Sequence, residues 1–182
     1  MTSTFSSSGR REWISPSRKA GNTFFKARNM PTFLVTNGTT PSVLRRMHEE
    51  RRLPTQLYVT VAAPNESIYR ELMAPKSDHE FEKLQETLRL LPELSTRTVI
   101  RHTLVAGWNL GWEEEYAHLD GLGKPMFIEC KGYSFVGESR LRLKAENMPS
   151  HASIRRFSER LADLTGYGRA AAREASRVVL LT

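Results

Sequence analysis

Hydrophobic and polar positions fall into blocks along the chain, and the blocks change period from one to the next. Residues 32–36 (TFLVT), 57–61 (LYVTV), 97–105 (RTVIRHTLV) and 126–131 (MFIECK) are short β-rich runs and predict four strands. Between them the period lengthens to that of a helix. Pro41 opens a helix with Val43, Leu44 and Met47 as its apolar stripe and Thr40 as its N-cap. A short helix is expected around residues 67–73, after the break at Pro64-Asn65. Phe81, Leu84, Leu88 and Leu91 recur at helical spacing over residues 79–91, with Asp78 as the expected cap. Residues 112–122 form another predicted helix, whose first turn holds Glu113, Glu114 and Glu115, where the helix dipole favours anions. A last helix starts at Pro149-Ser150 and turns Ile154, Phe157, Leu161 and Leu164 inward. Residues 176–181 (SRVVLL) are expected as a closing strand.

Strand and helix thus alternate at βα spacing, the pattern of an α/β fold with a parallel sheet covered by helices. Right-handed crossovers make such a sheet part of a barrel or a doubly wound layer, and four units are too few for a complete eight-stranded barrel. The strands also share a habit. Each is apolar for most of its length and turns polar at its C-terminal end: Asn37 with Gly38, Thr60, Arg101 onward to Asn109, and Glu129 with Lys131. In an open parallel sheet those ends converge on one crevice, the usual ligand site.

The chemistry concentrates at residues 126–137, MFIECKGYSFVG. Residues two apart share a strand face, so Glu129 and Lys131 point together while Ile128 and Cys130 point the other way. A Glu/Lys pair on an apolar strand is either mutually satisfied or functional. Lys131 is the candidate for covalent chemistry, because an amine in a dry mouth can lose its proton and form an imine with a keto acid or aldehyde. Arg101, on one face with Val99 and Thr103, offers its guanidinium to a ligand carboxylate or to Glu129. His102 lies with Ile100 and Leu104, and there it packs beneath a helix. Gly38, Gly107 and Gly132 would let backbone approach a ligand, although glycines after strands are common in turns. In residues 140–144 (RLRLK), alternation puts Arg140, Arg142 and Lys144 on one strand face and Leu141 and Leu143 on the other. With Arg155, Arg156 and Arg160 they form a basic patch for phosphate contact or a solvated face.

Composition narrows these options. A chain of 182 residues with 26% charged and 39% hydrophobic positions suits one soluble globular domain. No apolar run approaches membrane-spanning length. One cysteine, Cys130, allows neither an internal disulfide nor a cysteine-built cluster. The net charge of +7 is uneven: residues 1–31 hold six Lys/Arg against one Glu, 6 − 1 = +5, and the remainder 21 − 19 = +2. Residues 1–23 are rich in Ser, Thr and Arg and read as a disordered leader. That composition suits an organelle transit peptide, but an arbitrary start such as a gene fragment is preferred.

The strings TFLVTNGT (32–39), PTQLYVTV (54–61), TRTVIRHTLV (96–105), FIECKGYSFVGESRLRL (127–143), ENMPSH (146–151) and SRVVLL (176–181) together resemble the archaeal-type tRNA 4-demethylwyosine synthases. These are radical S-adenosylmethionine (SAM) enzymes of wybutosine biosynthesis. The resemblance runs in order over residues 24–182, and its wyosine-base-forming region covers about residues 126–182. It implies a partial (β/α) barrel of the radical SAM type, truncated to its C-terminal four βα units plus a final strand. It implies cytoplasmic condensation of pyruvate carbons with N1-methylguanosine in tRNA-Phe, using SAM and 4Fe-4S clusters. Glu129 and Lys131 then stand as catalytic candidates. Asn37, Gly38, Thr60, Arg101, Asn109 and Gly132 stand as cofactor-binding candidates, and Arg140, Arg142, Lys144, Arg155 and Arg156 as RNA-binding ones. The family's CxxxCxxC cluster motif is absent and Ala62 replaces a usual acidic residue, so the chain is expected to be inactive alone. Two places stay open for the family's pyruvate-binding lysine, Lys131 and the part not matched here. Two other readings stay open: a cluster-free tRNA-binding subunit completed by a separate N-terminal chain, and a metal-free Schiff-base lyase built on Lys131.

Overall fold

Strand–helix alternation produces four parallel strands, and the period-2 pattern sorts their side chains into a dry face and a wet one. The structure is a computed structural model, describing Phe25 and residues 28–182; the expected leader, residues 1–23, lies outside the described residues. In chain order the main elements are β1 (Phe33–Thr36), α1 (Pro41–Glu49), β2 (Gln56–Thr60), α2 (Glu66–Met73), α3 (Glu80–Leu90) and β3 (Arg97–Leu104). They continue with α4 (Glu113–Gly123), β4 (Phe127–Gly132), α5 (His151–Thr165), β5 (Arg169–Arg173) and β6 (Val178–Leu181). The six strands form one sheet in the order β1-β2-β3-β4-β6-β5. β1 to β4 pair in parallel, whereas β6 runs antiparallel to both β4 and β5. Among the described residues neither end of the sheet pairs further, so it is a partial barrel that does not close.

Leu57, Val59, Ile100, Leu104, Ile128, Cys130, Val179 and Leu181 form the dry face, and all are buried. They join one core with Leu44 of α1, Leu84 and Leu88 of α3, Tyr116 and Leu119 of α4, and Ile154, Phe157 and Leu161 of α5. Each such apolar side chain contributes about 1.5–3 kcal/mol relative to exposure. Gly38 marks the tightest contact between a strand end and a helix. Its φ is +74°, and a Cβ there would lie 2.7 Å from Leu84 and 3.0 Å from Val59. Only glycine fits both the backbone and the space.

Several local expectations are corrected. Thr40 makes no capping bond, and α1 starts directly on Pro41. α3 begins one residue later than expected with His79 in the N-cap position, and Asp78 pairs with Arg70 at 3.2 Å. Asn65 and Ser150, by contrast, do cap α2 and α5, accepting from the N–H groups of Ile68 and Ser153. Leu164, expected inside, is 38% exposed. Residues 140–144 are no strand. They lie at the end of a 3₁₀ turn (Gly137–Leu141) and before another (Ala145–Asn147), because β4 is already paired on both sides by β3 and β6. Leu141 is therefore exposed while Leu143 is buried, so the two leucines do not share a face as expected.

Candidate functional site

Among the described residues no helix covers the second face of the sheet, and register sets its side chains in rows. Thr60 pairs with Arg101 and Arg101 with Glu129, which is opposite Leu180. One step nearer the strands' C-terminal ends, Thr103 pairs with Lys131 and Lys131 with Val178. Gln56 and Tyr58 of β2 share this face. Its centre is an ion pair: Arg101 Nε donates to Glu129 Oε1 at 2.6 Å, with the two side chains 21% and 12% exposed. The Arg101 guanidinium also lies 4.6 Å over the Tyr58 ring, a cation–π contact in a half-dry setting. Burial first, and the Glu129 carboxylate second, push the Tyr58 phenol up. Arg101 thus engages Glu129, one of the two partners its sequence position allowed. Lys131 is half-buried, and its ammonium makes no ion pair or hydrogen bond among the described residues.

The loops beyond the strand ends are tied together by two asparagines. Asn109 is fully buried: its Oδ1 accepts from Val105 N–H at 2.6 Å, and its Nδ2 donates to the carbonyls of Ala62 and Thr103 at 2.7 and 2.9 Å. Both its N–H donors and its oxygen are engaged inside the protein and no part of it is exposed, so it shapes the mouth and presents nothing to a ligand. Asn147 Nδ2 donates to the Ala106 carbonyl at 2.9 Å, and Asn147 Oδ1 accepts from Lys144 N–H at 2.8 Å. Residues 133–148 thereby strap the mouth, anchored in a small core of Leu72, Val105, Tyr133 and Leu143. Of the other cofactor candidates, Asn37 is exposed and bonds to Thr39. Gly38 accepts from Thr87 Oγ1 at 2.6 Å through its carbonyl. A Cβ on Gly132 would meet Arg177, Pro149 and Ile154 at 3.2–3.6 Å, so Gly132 serves close packing. Thr60 and Arg101 remain as candidates whose side chains reach the open face.

His102 packs on the dry face, as its register required, with a partner that periodicity alone did not reveal. Its Nδ1 meets the Val61 carbonyl at 3.3 Å and its Nε2 meets both oxygens of Asp120 at 3.0 Å. Burial raises the Asp120 carboxyl, and His102 pulls it partly back. Tyr116 packs against the His102 ring at 4.4 Å, and its buried hydroxyl has no hydrogen-bond partner. The signal in the sequence was an Asp inside the apolar stripe Tyr116, Leu119, Asp120, Gly123.

Cys130 is on that same dry face, and burial pushes its thiol up to about 12. Among the described residues no group of three His, Cys, Asp or Glu could hold a metal ion. An iron–sulfur cluster bound by thiolates does not fit this donor set.

The RNA candidates are dispersed. Arg140 lies over the Phe135 ring at 5.4 Å. Arg142 Nη1 donates to the Leu72 carbonyl at the end of α2 at 2.7 Å. Lys144 pairs with Glu146 at 3.5 Å, and Arg155 pairs with Glu159 at 3.5 Å. Arg156 reaches Ser153 Oγ at 3.3 Å, and Arg160 reaches Glu114 at 3.4 Å.

Residues 122–182, which comprise β4, the strap, α5, β5 and β6, match the family model for wyosine base formation. The S-adenosyl-L-methionine-dependent tRNA 4-demethylwyosine synthase of Pyrococcus abyssi is 47% identical over 158 residues, 86% of this chain and 46% of that protein. The synthase of Oryza sativa is 38% identical over 140 residues, 76% of this chain and 21% of that protein. A solved structure of TYW1 with a lysine-pyruvate adduct bound superposes with a TM-score of 0.79 at 32% identity, covering 92% of this chain and 52% of that one. A crystal structure of archaeal TYW1 gives 0.73 at 28% identity, covering 92% and 51%. The chain is similar to the C-terminal part of these synthases and spans about half the length of the archaeal relatives.

Proposed function

We propose that the chain supplies the C-terminal wall of a radical SAM barrel that makes 4-demethylwyosine in tRNA-Phe from N1-methylguanosine and carbons of pyruvate, in the cytoplasm. The observation that carries this reading is a coincidence of position. The segment matching wyosine base formation, residues 122–182, builds the strand that bears Glu129 and Lys131 and the strap over the mouth.

In this reading Lys131 is the amine that meets pyruvate. Its nitrogen lone pair adds to the ketone carbon, and loss of water leaves a carbon–nitrogen double bond. Glu129 fixes Arg101 by their 2.6 Å bond, which keeps that guanidinium on the open face beside Thr60. We assign Thr60 and Arg101 to the polar groups of SAM, with Asn37, Gly38, Asn109 and Gly132 shaping the rim. Arg140, Arg142, Lys144, Arg155 and Arg156 stand on the side from which tRNA approaches. A cluster for this face is held by residues outside this chain, since one buried cysteine cannot supply three thiolates. A separate N-terminal chain is the partner that would bring it.

The test is anaerobic incubation of the chain with iron, sulfide, reductant, SAM, pyruvate and tRNA-Phe. No 5′-deoxyadenosine is expected from the chain alone, and SAM cleavage by it would overturn the division of labour. Borohydride reduction with labelled pyruvate then examines Lys131 directly. Label at Lys131 supports the imine, whereas its absence places the imine lysine in the other half of the longer synthases. Binding of tRNA without that label favours the second reading, a cluster-free tRNA-binding subunit. Label together with turnover of a keto acid in the absence of any metal would favour the Schiff-base lyase instead.

A further inference from the structure

The charges of the chain separate by sequence position. Residues 28–132 hold 13 Lys/Arg and 14 Asp/Glu, 13 − 14 = −1, while residues 133–182 hold 9 and 5, 9 − 5 = +4. Eight of those nine cations are arginines, the side chain suited to phosphate. Most of them are spoken for, either by ion pairs with Glu146, Glu159 and Glu114 or by the Leu72 carbonyl and the Phe135 ring. Arg169 is held on the dry side, 3.9 Å from Glu159.

Three remain: Arg156, which reaches Ser153 Oγ at 3.3 Å on α5, and two that lie together at the mouth. Arg173 pairs in register with Val178, and Val178 with Lys131. Because Val179 and Leu181 are buried under helices, Val178 and its cross-strand partners face the open side. Arg173 therefore shares Lys131's row, two strand spacings or about 10 Å away. It makes no ion pair or hydrogen bond through its side chain among the described residues. Arg177 stands at the turn into β6. Its carbonyl accepts from Gly132 N–H at 2.8 Å, and among the described residues its guanidinium reaches only Ser134 Oγ, at 3.2 Å. The acidic groups nearby are Glu129, held by Arg101, and the exposed Glu174. β5 itself is RAAAR, exposed throughout, so no bulky side chain between its ends blocks a polyanion.

We infer that Arg173 and Arg177 form a phosphate-binding rim at the mouth, holding the backbone of the tRNA next to Lys131. This rests on the tRNA reading above and places the contact on residues other than those the sequence pointed to. Charge at an edge strand also discourages pairing between copies, which makes a second copy of the chain the competing occupant.

The experiment measures tRNA binding by the full chain over a range of salt concentrations. Arg173→Gln combined with Arg177→Asn removes both charges, and Asn suits the left-handed backbone at residue 177, where φ is +49°. Each lost phosphate contact lowers the log–log salt slope by about 0.7–0.9, so the double variant should lose about 1.4–1.8 units. Arg173→Lys with Arg177→Lys should keep the slope, and Arg45→Gln with Arg89→Gln, on the helices α1 and α3, should leave it unchanged. Wild-type binding with an unaltered slope in the charge-removed variant overturns the rim but leaves the tRNA reading intact. No tRNA binding by the wild type overturns both. A wild-type dimer dissolved by the double variant, with the tRNA slope unchanged, makes the edge a contact between copies and overturns the rim. A folded state equal to wild type by circular dichroism is required of each variant, and Arg173→Gln alone, at an exposed strand position, decides the question if the Gln/Asn pair fails it, with a slope loss of about 0.7–0.9 expected.

Discussion

Both carboxylate oxygens of Asp120 lie 3.0 Å from His102 Nε2, and neither residue is exposed beyond 1%. A carbonyl can only accept, so the contact from His102 Nδ1 to the Val61 carbonyl at 3.3 Å puts a proton on Nδ1. One further proton sits between Nε2 and Asp120. The pair ties α4 to β3 and to the end of β2, directly behind Thr60 and Arg101.

A pH dependence follows from the carboxyl. Burial raises Asp120 above its usual 3.8, His102 opposing. A carboxyl with a raised folded pKa contributes stability that is full below its unfolded pKa and is lost as pH rises through the folded one. Urea denaturation of the wild type and of Asp120→Asn between about pH 3 and about pH 8 isolates the effect. The wild type should lose ground to the variant as the pH climbs above about 4. A difference independent of pH would mean that the carboxyl titrates normally.

Asn109 holds three backbone groups at once, so its loss should be felt more than an average substitution. Asn109→Ala strands Val105 N–H and the Ala62 and Thr103 carbonyls in a buried setting. At about 1–3 kcal/mol for each unsatisfied group, less what water recovers, about 3 kcal/mol or more is expected. A shift in the urea midpoint corresponding to less than about 1 kcal/mol would show that the loop reorganises without it.

Arg101 and Glu129 invite a double-mutant cycle. Glu129→Ala leaves a guanidinium half-buried over the Tyr58 ring, and Arg101→Ala leaves a carboxylate that is 12% exposed. Each single change should cost about 1–3 kcal/mol, and the double change less than their sum. Simple additivity of the two losses would show that the pair is not coupled.

How much of this was legible in the sequence can be read from particular residues. The faces of β3 and β4 followed from alternation alone, so Arg101 beside Glu129 and His102 beneath a helix were both accessible. β5 was not. RAAAR has no apolar face, and it is a strand only because β6 offers an edge to pair with. The reverse happened at RLRLK, whose alternation suggested a strand in a place where no edge was free. Asn109 read as a ligand residue because polar groups after strands so often are. Its actual bonds go to Ala62 and Thr103, and Ala62 is 47 positions distant in sequence, a distance that no local pattern can see.

The edge at β1 supports the last prediction. β1 pairs with β2 on one side, and among the described residues nothing pairs on the other. Phe33 and Val35 are 57% and 44% exposed on the open face, and Phe33 leans on Tyr58 at 4.6 Å. An unpaired strand with apolar side chains and no charge is a template for another chain. β5, at the opposite edge, carries an arginine at each end and is guarded against this. The isolated chain should therefore be of low stability or self-associate through β1 as its concentration rises. Val35→Lys should suppress the association, because a charge at that edge discourages pairing while the Phe33–Tyr58 contact is left in place. Sedimentation velocity over a concentration series is the measurement, with thermal unfolding beside it. A wild type that stays monomeric and unfolds in one sharp, reversible transition would mean that the open edge needs no neighbour.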